Sequence, residues 1–190
     1  MPNKVLKVLF LYNGIFVLAG SLLGPLYALY VENLNVGILP ISISWSAFLL
    51  STTIFTFVIS RLGDGFKHKR LLLAGGYLIR AICWLYMSVI TNIGQLIITQ
   101  FILGIGEALG TPAFDAIFAE HLDKNKHIMD YSDWKMTSNA VLVLGTLLGG
   151  FIVSKFGFST LLVGMSVLSL VSMSGVIANP CIDGKNHGGP

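Results

Sequence analysis

Six stretches of this chain are apolar for about as long as a helix needs to cross a bilayer, and no other feature constrains its fold so strongly. They cover residues 8–31, 38–60, 71–90, 94–118, 136–153 and 158–178. At about 1.5 Å of rise per residue, a helix needs about 20 apolar residues to span some 30 Å of hydrocarbon. Strands of a membrane barrel would be shorter and would alternate in polarity, so helices are expected. Charge points to the same solvent. Only 11% of residues are Asp, Glu, Lys or Arg, against about 25% in a soluble domain, and the mean hydropathy is +0.79. The expected fold is therefore an all-α membrane protein of six transmembrane helices over residues 1–179, with a polar, glycine-rich tail over 180–190. The first block reads as a retained helix, because it is longer than the apolar core of a signal peptide.

Basic residues set the orientation. With the N-terminus in the cytoplasm, Lys4, Lys7, Arg61, Lys67, Lys69, Arg70, Lys124, Lys126, Lys135 and Lys185 all fall on the cytoplasmic side. Only Lys155 falls outside, and Arg80 lies within a span. This asymmetry predicts both termini inside. The net charge of +3 thus anchors spans to a lipid surface, and nucleic acid is not an expected partner. The connecting segments are too short to fold as domains, so function is expected in the helices and their loops.

The chain also repeats itself. Gly20, Gly24, Pro25 and Glu32 recur in kind as Gly106, Gly110, Pro112 and Glu120. Further on, Phe57-Val-Ile-Ser-Arg61-Leu-Gly63 recurs as Phe151-Ile-Val-Ser-Lys155-Phe-Gly157. Two matches in the same order predict a duplicated three-helix unit, repeat one at 1–92 and repeat two at 93–179. Three helices is an odd number, so the second unit enters the membrane from the opposite side. That inversion explains why Lys155, the counterpart of Arg61, breaks the charge pattern. Inverted repeats with glycine- and proline-marked helices are a mark of transporters, whose units rock about a central site. Small residues four apart also serve plain helix packing, and Gly20, Gly24, Gly106, Gly110, Gly145, Gly149 and Gly150 are the candidates for it.

The loop from Ser60 to Arg70 resembles the signature loop of the major facilitator superfamily, roughly Gly-x-x-x-Asp-Arg-x-Gly-Arg-Arg/Lys between helices two and three. Asp64 and Lys69 match it, while Ser60, Gly65, Lys67 and His68 depart from it. In helix four, Gly104, Gly106, Pro112 and Glu120 resemble the family's pattern, with Gln100 in place of an arginine. Gly145-Thr-Leu-Leu-Gly149-Gly150 resembles its glycine-rich antiporter motif, with Thr146 in place of proline. The resemblance covers the whole chain and the first half of a twelve-helix member. It implies a secondary-active transporter, or its N-terminal half, moving a small solute by alternating access, with the proton a candidate coupling ion. It also implies a prokaryotic inner-membrane location and a cytoplasmic gating network of Asp64, Lys69, Arg70 and Glu120. Two copies with both termini inside can adopt the relation that full-length halves have, so a homodimer and a missing second half are both open.

Charges inside the spans mark the candidate site. Arg80 lies ten residues past Arg70, about 15 Å deep, and Glu107 thirteen residues before Glu120, about 20 Å deep. An isolated charge there costs about 3 kcal/mol or more, so the two are expected to pair, either as glue between adjacent antiparallel helices or as a site for a proton or cationic solute. Asp115 lies only about 8 Å deep and is a weaker candidate. Asn13 is a candidate either to line a cavity or to bond a neighbouring helix. Trp45, Trp84 and Trp134 are expected as interface anchors.

An intramembrane enzyme is disfavoured. All four histidines lie in loops or the tail, and no His-Glu-x-x-His or Gly-x-Ser-x-Gly motif is present. Cys83 and Cys181 show no metal or disulfide spacing, so neither metal nor cofactor is expected. A non-transporting membrane scaffold, or a truncated fragment without independent activity, is the remaining alternative.

Overall fold

A computed structural model describes residues 4–34, 37–62, 68–122 and 127–183. The described residues are all helix and short connections: α1 (Lys4–Leu23), a 3-10 turn (Gly24–Leu26), α2 (Tyr27–Glu32), α3 (Ile38–Leu62), α4 (Lys69–Met87), α5 (Ile93–Glu120), α6 (His127–Ala178) and a 3-10 turn at Pro180–Asp183. Five helices among them are long and apolar enough to cross a membrane.

Local chemistry sets the breaks. Pro25 sits at the start of the 3-10 turn that separates α1 from α2, where its missing N–H is tolerated. In α5, Pro112 lies inside an unbroken helix, so the carbonyl four residues back loses its usual donor. Asn92 caps α5 by accepting from the Gln95 amide at 3.0 Å, and Gln95 Oε1 accepts from the Thr91 amide at 3.2 Å, a reciprocal arrangement that satisfies exposed donors.

The expected fifth and sixth blocks run on as α6, 52 residues long with one non-helical residue, Gly157, at φ 79° and ψ 174°. That region of backbone space is open essentially to glycine alone. Two contacts show that the chain reverses there. Positions 145 and 149 of α6 press on Leu18, Ser21 and Leu22 of α1, and position 175 presses on the Tyr12 ring. In a straight helix residues 145 and 175 would be about 45 Å apart, whereas residues 12 and 18 of α1 are separated by about 9 Å. The two arms of α6 therefore lie side by side. Only residues 154–157 separate the two blocks, and the chain stays helical through them up to Gly157.

Helix α1 packs on α6, α3 on α5, and α4 on both α5 and α6. The second arm of α6 runs antiparallel to α4: Ser159 donates to the Ser88 carbonyl at 3.4 Å, Ser169 to the Tyr77 carbonyl at 2.8 Å, and Arg70 to the Ile177 carbonyl at 3.0 Å. The core lies where α1, α4, α5 and that arm meet, around Leu9, Leu73, Tyr77, Ile117, Phe118, Leu162 and Met165. The outside is apolar as well. Leu50, Phe57, Leu147 and Phe151 are all more than half exposed, a surface that lipid or another apolar partner must cover.

Candidate functional site

Helices α4 and α5 approach closely because glycines face each other. A Cβ on Gly76 would stand 2.7 Å from the Gly110 Cα and 2.8 Å from the Gly106 carbonyl oxygen. One turn beyond Gly76, Arg80 leaves α4 and forms an ion pair with Glu107 of α5. The side chain of Arg80 is 7% exposed and that of Glu107 31%. The other carboxylate oxygen of Glu107 accepts a hydrogen bond from the Thr111 hydroxyl, one turn along the same helix. Desolvating a charge pair costs several kcal/mol per ion, so it persists only where hydrogen bonds satisfy the remaining lone pairs. Thr111 supplies one of them.

The guanidinium is held on its far side by aromatic rings. Its central carbon lies 4.6 Å from the centroid of Phe16 on α1. Phe16 stacks on Tyr77 at 4.3 Å and on Trp84 at 5.7 Å between centroids. The Tyr77 hydroxyl donates to Asn13 Oδ1 at 2.6 Å. Asn13 thus ties α1 to α4. A cavity of about 260 Å³ opens beside the ion pair, bordered by Phe16, Tyr27, Trp45, Trp84, Gln100, Arg80 and Glu107 among others. Asn13 is not on its wall.

Of the expected gating residues, Lys69 and Glu120 form an ion pair where α4 begins and α5 ends. Arg70 donates to the Ile177 carbonyl in the last turn of α6, where a cation meets unsatisfied carbonyls and the negative end of the helix dipole. Asp64 lies outside the described residues. Asp115 is exposed, on the same face of α5 as Glu107 and Thr111, at spacings of four and eight residues that line up along a helix.

Several expectations change. Gly106 and Gly110 do meet α4, and Gly145 and Gly149 meet α1, but among the described residues nothing lies within 4 Å of a Cβ placed on Gly20, Gly24 or Gly150. These three are not packing points, because spacing of four marks a face without saying what lies opposite it. Gly20 and Gly24 border the cavity instead. Trp84 is buried against Phe16 inside the bundle, not at a membrane interface, since it faces the seam of α4 rather than its outer side. Sequence reasoning also missed Phe16, Tyr27, Tyr77 and Thr111, and noted Gln100 only as a departure from the family's pattern. Only Thr111 left a signal, its spacing of four from an intramembrane acid.

Known proteins share this arrangement of sequence. The chain is 27% identical over 157 residues to the uncharacterized MFS-type transporter YitZ of Bacillus subtilis (strain 168), covering 81% of this chain and 93% of that protein. It is 26% identical over 180 residues to the multi-drug resistance efflux pump PmrA homolog of Lactococcus lactis subsp. lactis (strain IL1403), covering 90% of this chain and 43% of that one. It is 25% identical over 173 residues to the staphyloferrin B transporter of Staphylococcus aureus (strain NCTC 8325 / PS 47), covering 87% and 40%. The chain thus spans less than half the length of these last two relatives. The pattern that defines the Major Facilitator Superfamily matches residues 9–180, and the chain, a multi-pass membrane protein of transporters rather than enzymes, belongs to that family.

Proposed function

We propose that the chain is a six-crossing transporter half that moves a small solute by alternating access, with a proton carried at Glu107 as the coupling ion. In this reading each arm of α6 is one crossing, both termini are cytoplasmic, and the membrane is the plasma (inner) membrane of a bacterium. A second half completes the pathway, supplied by another copy or by another segment, related by an axis along the membrane normal.

The inverted repeat gains support from two close contacts. The match of Gly20 to Gly106 equates Leu18 with Gly104, and that of Phe57 to Phe151 equates Ser51 with Gly145. A Cβ on Gly104 would stand 2.7 Å from the Ser51 Cβ, and one on Gly145 would stand 3.1 Å from the Leu18 carbonyl oxygen. Both contacts run between the two units, and each is the counterpart of the other under the repeat, with the glycine standing for Leu18 in one and for Ser51 in the other.

The observation that carries the coupling role is the half-buried state of the ion pair. Arg80 is sealed in, yet Glu107 keeps about a third of its side chain exposed, at 31%, beside the cavity. A proton delivered there cancels the attraction to Arg80 and lets α4 and α5 favour a second arrangement, which is what a coupling ion must do. Lys69, Arg70 and Glu120 would then act as a cytoplasmic latch, to which the sequence adds Asp64. The test is flux in proteoliposomes under an imposed pH gradient. Glu107→Gln is expected to lower proton-driven flux at least about tenfold while the purified protein elutes as the parent does. Unchanged flux rejects the role.

A further inference from the structure

We infer that the cavity enclosed by α1, α3, α4 and α5 is a binding site for a small planar aromatic amine. Its size sets the first limit. At about 260 Å³ it exceeds the roughly 150 Å³ that accommodates benzene, and so it takes one or two fused rings. Its walls set the second. Phe16 and Trp84 lie nearly parallel, 22° apart, on one side. Trp45 also borders the cavity and is 47% exposed, which marks it as the mouth. Rings that line a slot favour a flat guest by stacking.

The room itself depends on α1 having no side chains at Gly20 and Gly24, both of which border the cavity with nothing within 4 Å of a Cβ. Charge then selects among flat guests. The Arg80 guanidinium is occupied by Glu107 on one side and the Phe16 ring on the other, so it offers little to an anion. Glu107 keeps 31% of its side chain exposed and borders the cavity. An ammonium finds a partner at Glu107, whereas a carboxylate meets its like charge on the cavity wall. Gln100, 3% exposed to solvent, borders the cavity next to the Tyr27 hydroxyl and gives the guest a neutral polar contact.

The transport reading enters only in naming this guest as the solute carried, and the test separates the two. Equilibrium binding of radiolabelled tryptamine, indole and indole-3-acetate is measured on the full chain in nanodiscs. The three probes share a ring system and differ in charge. Tryptamine is expected to bind about tenfold or more tighter than indole-3-acetate, with indole between. Gly20→Leu puts a side chain into the cavity from a position where the Cβ itself has room, and is expected to weaken all three about tenfold or more. Glu107→Gln is expected to abolish the ranking and keep indole. Equal binding of the three by the parent chain, or parent-like binding by Gly20→Leu, overturns the site. Tryptamine binding without tryptamine flux leaves the site standing and removes the transport role. Proton-driven flux of other solutes with no tryptamine binding does the reverse.

Discussion

Helices α4 and α5 are joined by two ion pairs of the same chemical type in different surroundings. Lys69–Glu120 closes one end, with side chains 29% and 48% exposed. Arg80–Glu107 lies inside the span, with side chains 7% and 31% exposed. Between them, the glycine contact at Gly76 and Gly110 brings the backbones together. At the exposed end, water competes for both partners and salt screens what remains, so the pair is worth little. In the interior each charge has already lost its water, and its partner is all that replaces it. The outer pair can therefore open and close cheaply. The inner pair opens only if one charge is neutralised.

The sharpest way to break this contrast is Arg80→Leu. It leaves Glu107 partly buried beside Phe16 and Gly106 with no cation, and thermal unfolding in detergent is expected to show a loss of about 3 kcal/mol or more. The double variant Arg80→Leu with Glu107→Leu is expected to recover most of that loss, because the uncompensated charge is gone. No recovery would mean that Arg80 contributes by packing alone.

A smaller effect is expected from Gly76→Val, whose side chain collides with backbone rather than with a movable side chain. Pushing α4 off α5 should cost about 1–3 kcal/mol and lengthen the Arg80–Glu107 contact, readable as a cross-link rate between cysteines placed on the two helices. Gly20→Ala, in open space, is the matched control and should stay within about 0.5 kcal/mol. Equal losses from the two would show that α4 and α5 are not held by this contact. The least effect belongs to Lys69→Met, expected at under about 1 kcal/mol and fading as salt is added. A loss as large as that from Arg80→Leu would erase the distinction between the pairs.

How much of this was legible depended on the residue. Arg80 and Glu107 stood out because a charge in an apolar block is costly, and helical rise placed both at similar depths before any coordinates. Phe16 and Tyr77 did not stand out, and Trp84 was expected at an interface, since an aromatic residue in an apolar helix has the same appearance whether it faces lipid, a neighbour or a cavity. Gly20 and Gly24 were misassigned to packing for the same reason: their period was visible and their opposite face was not. Gly76 sits one turn before Arg80, but nothing in sequence says which glycines α5 brings against it. The continuity of α6 was hidden because hydropathy reports where apolar runs end and says nothing about how the chain turns.

The reversal at Gly157 leaves very little peptide on its side of the bundle, so that turn offers little purchase to a protease or an antibody. It also acts as a short tether. Consecutive Cα atoms are held about 3.8 Å apart, and one arm of α6 cannot tilt far without pulling the other. Because α1 touches both arms and α4 is bonded to the second, a swing that begins on one side of the bundle is passed across it like the stroke of a crank.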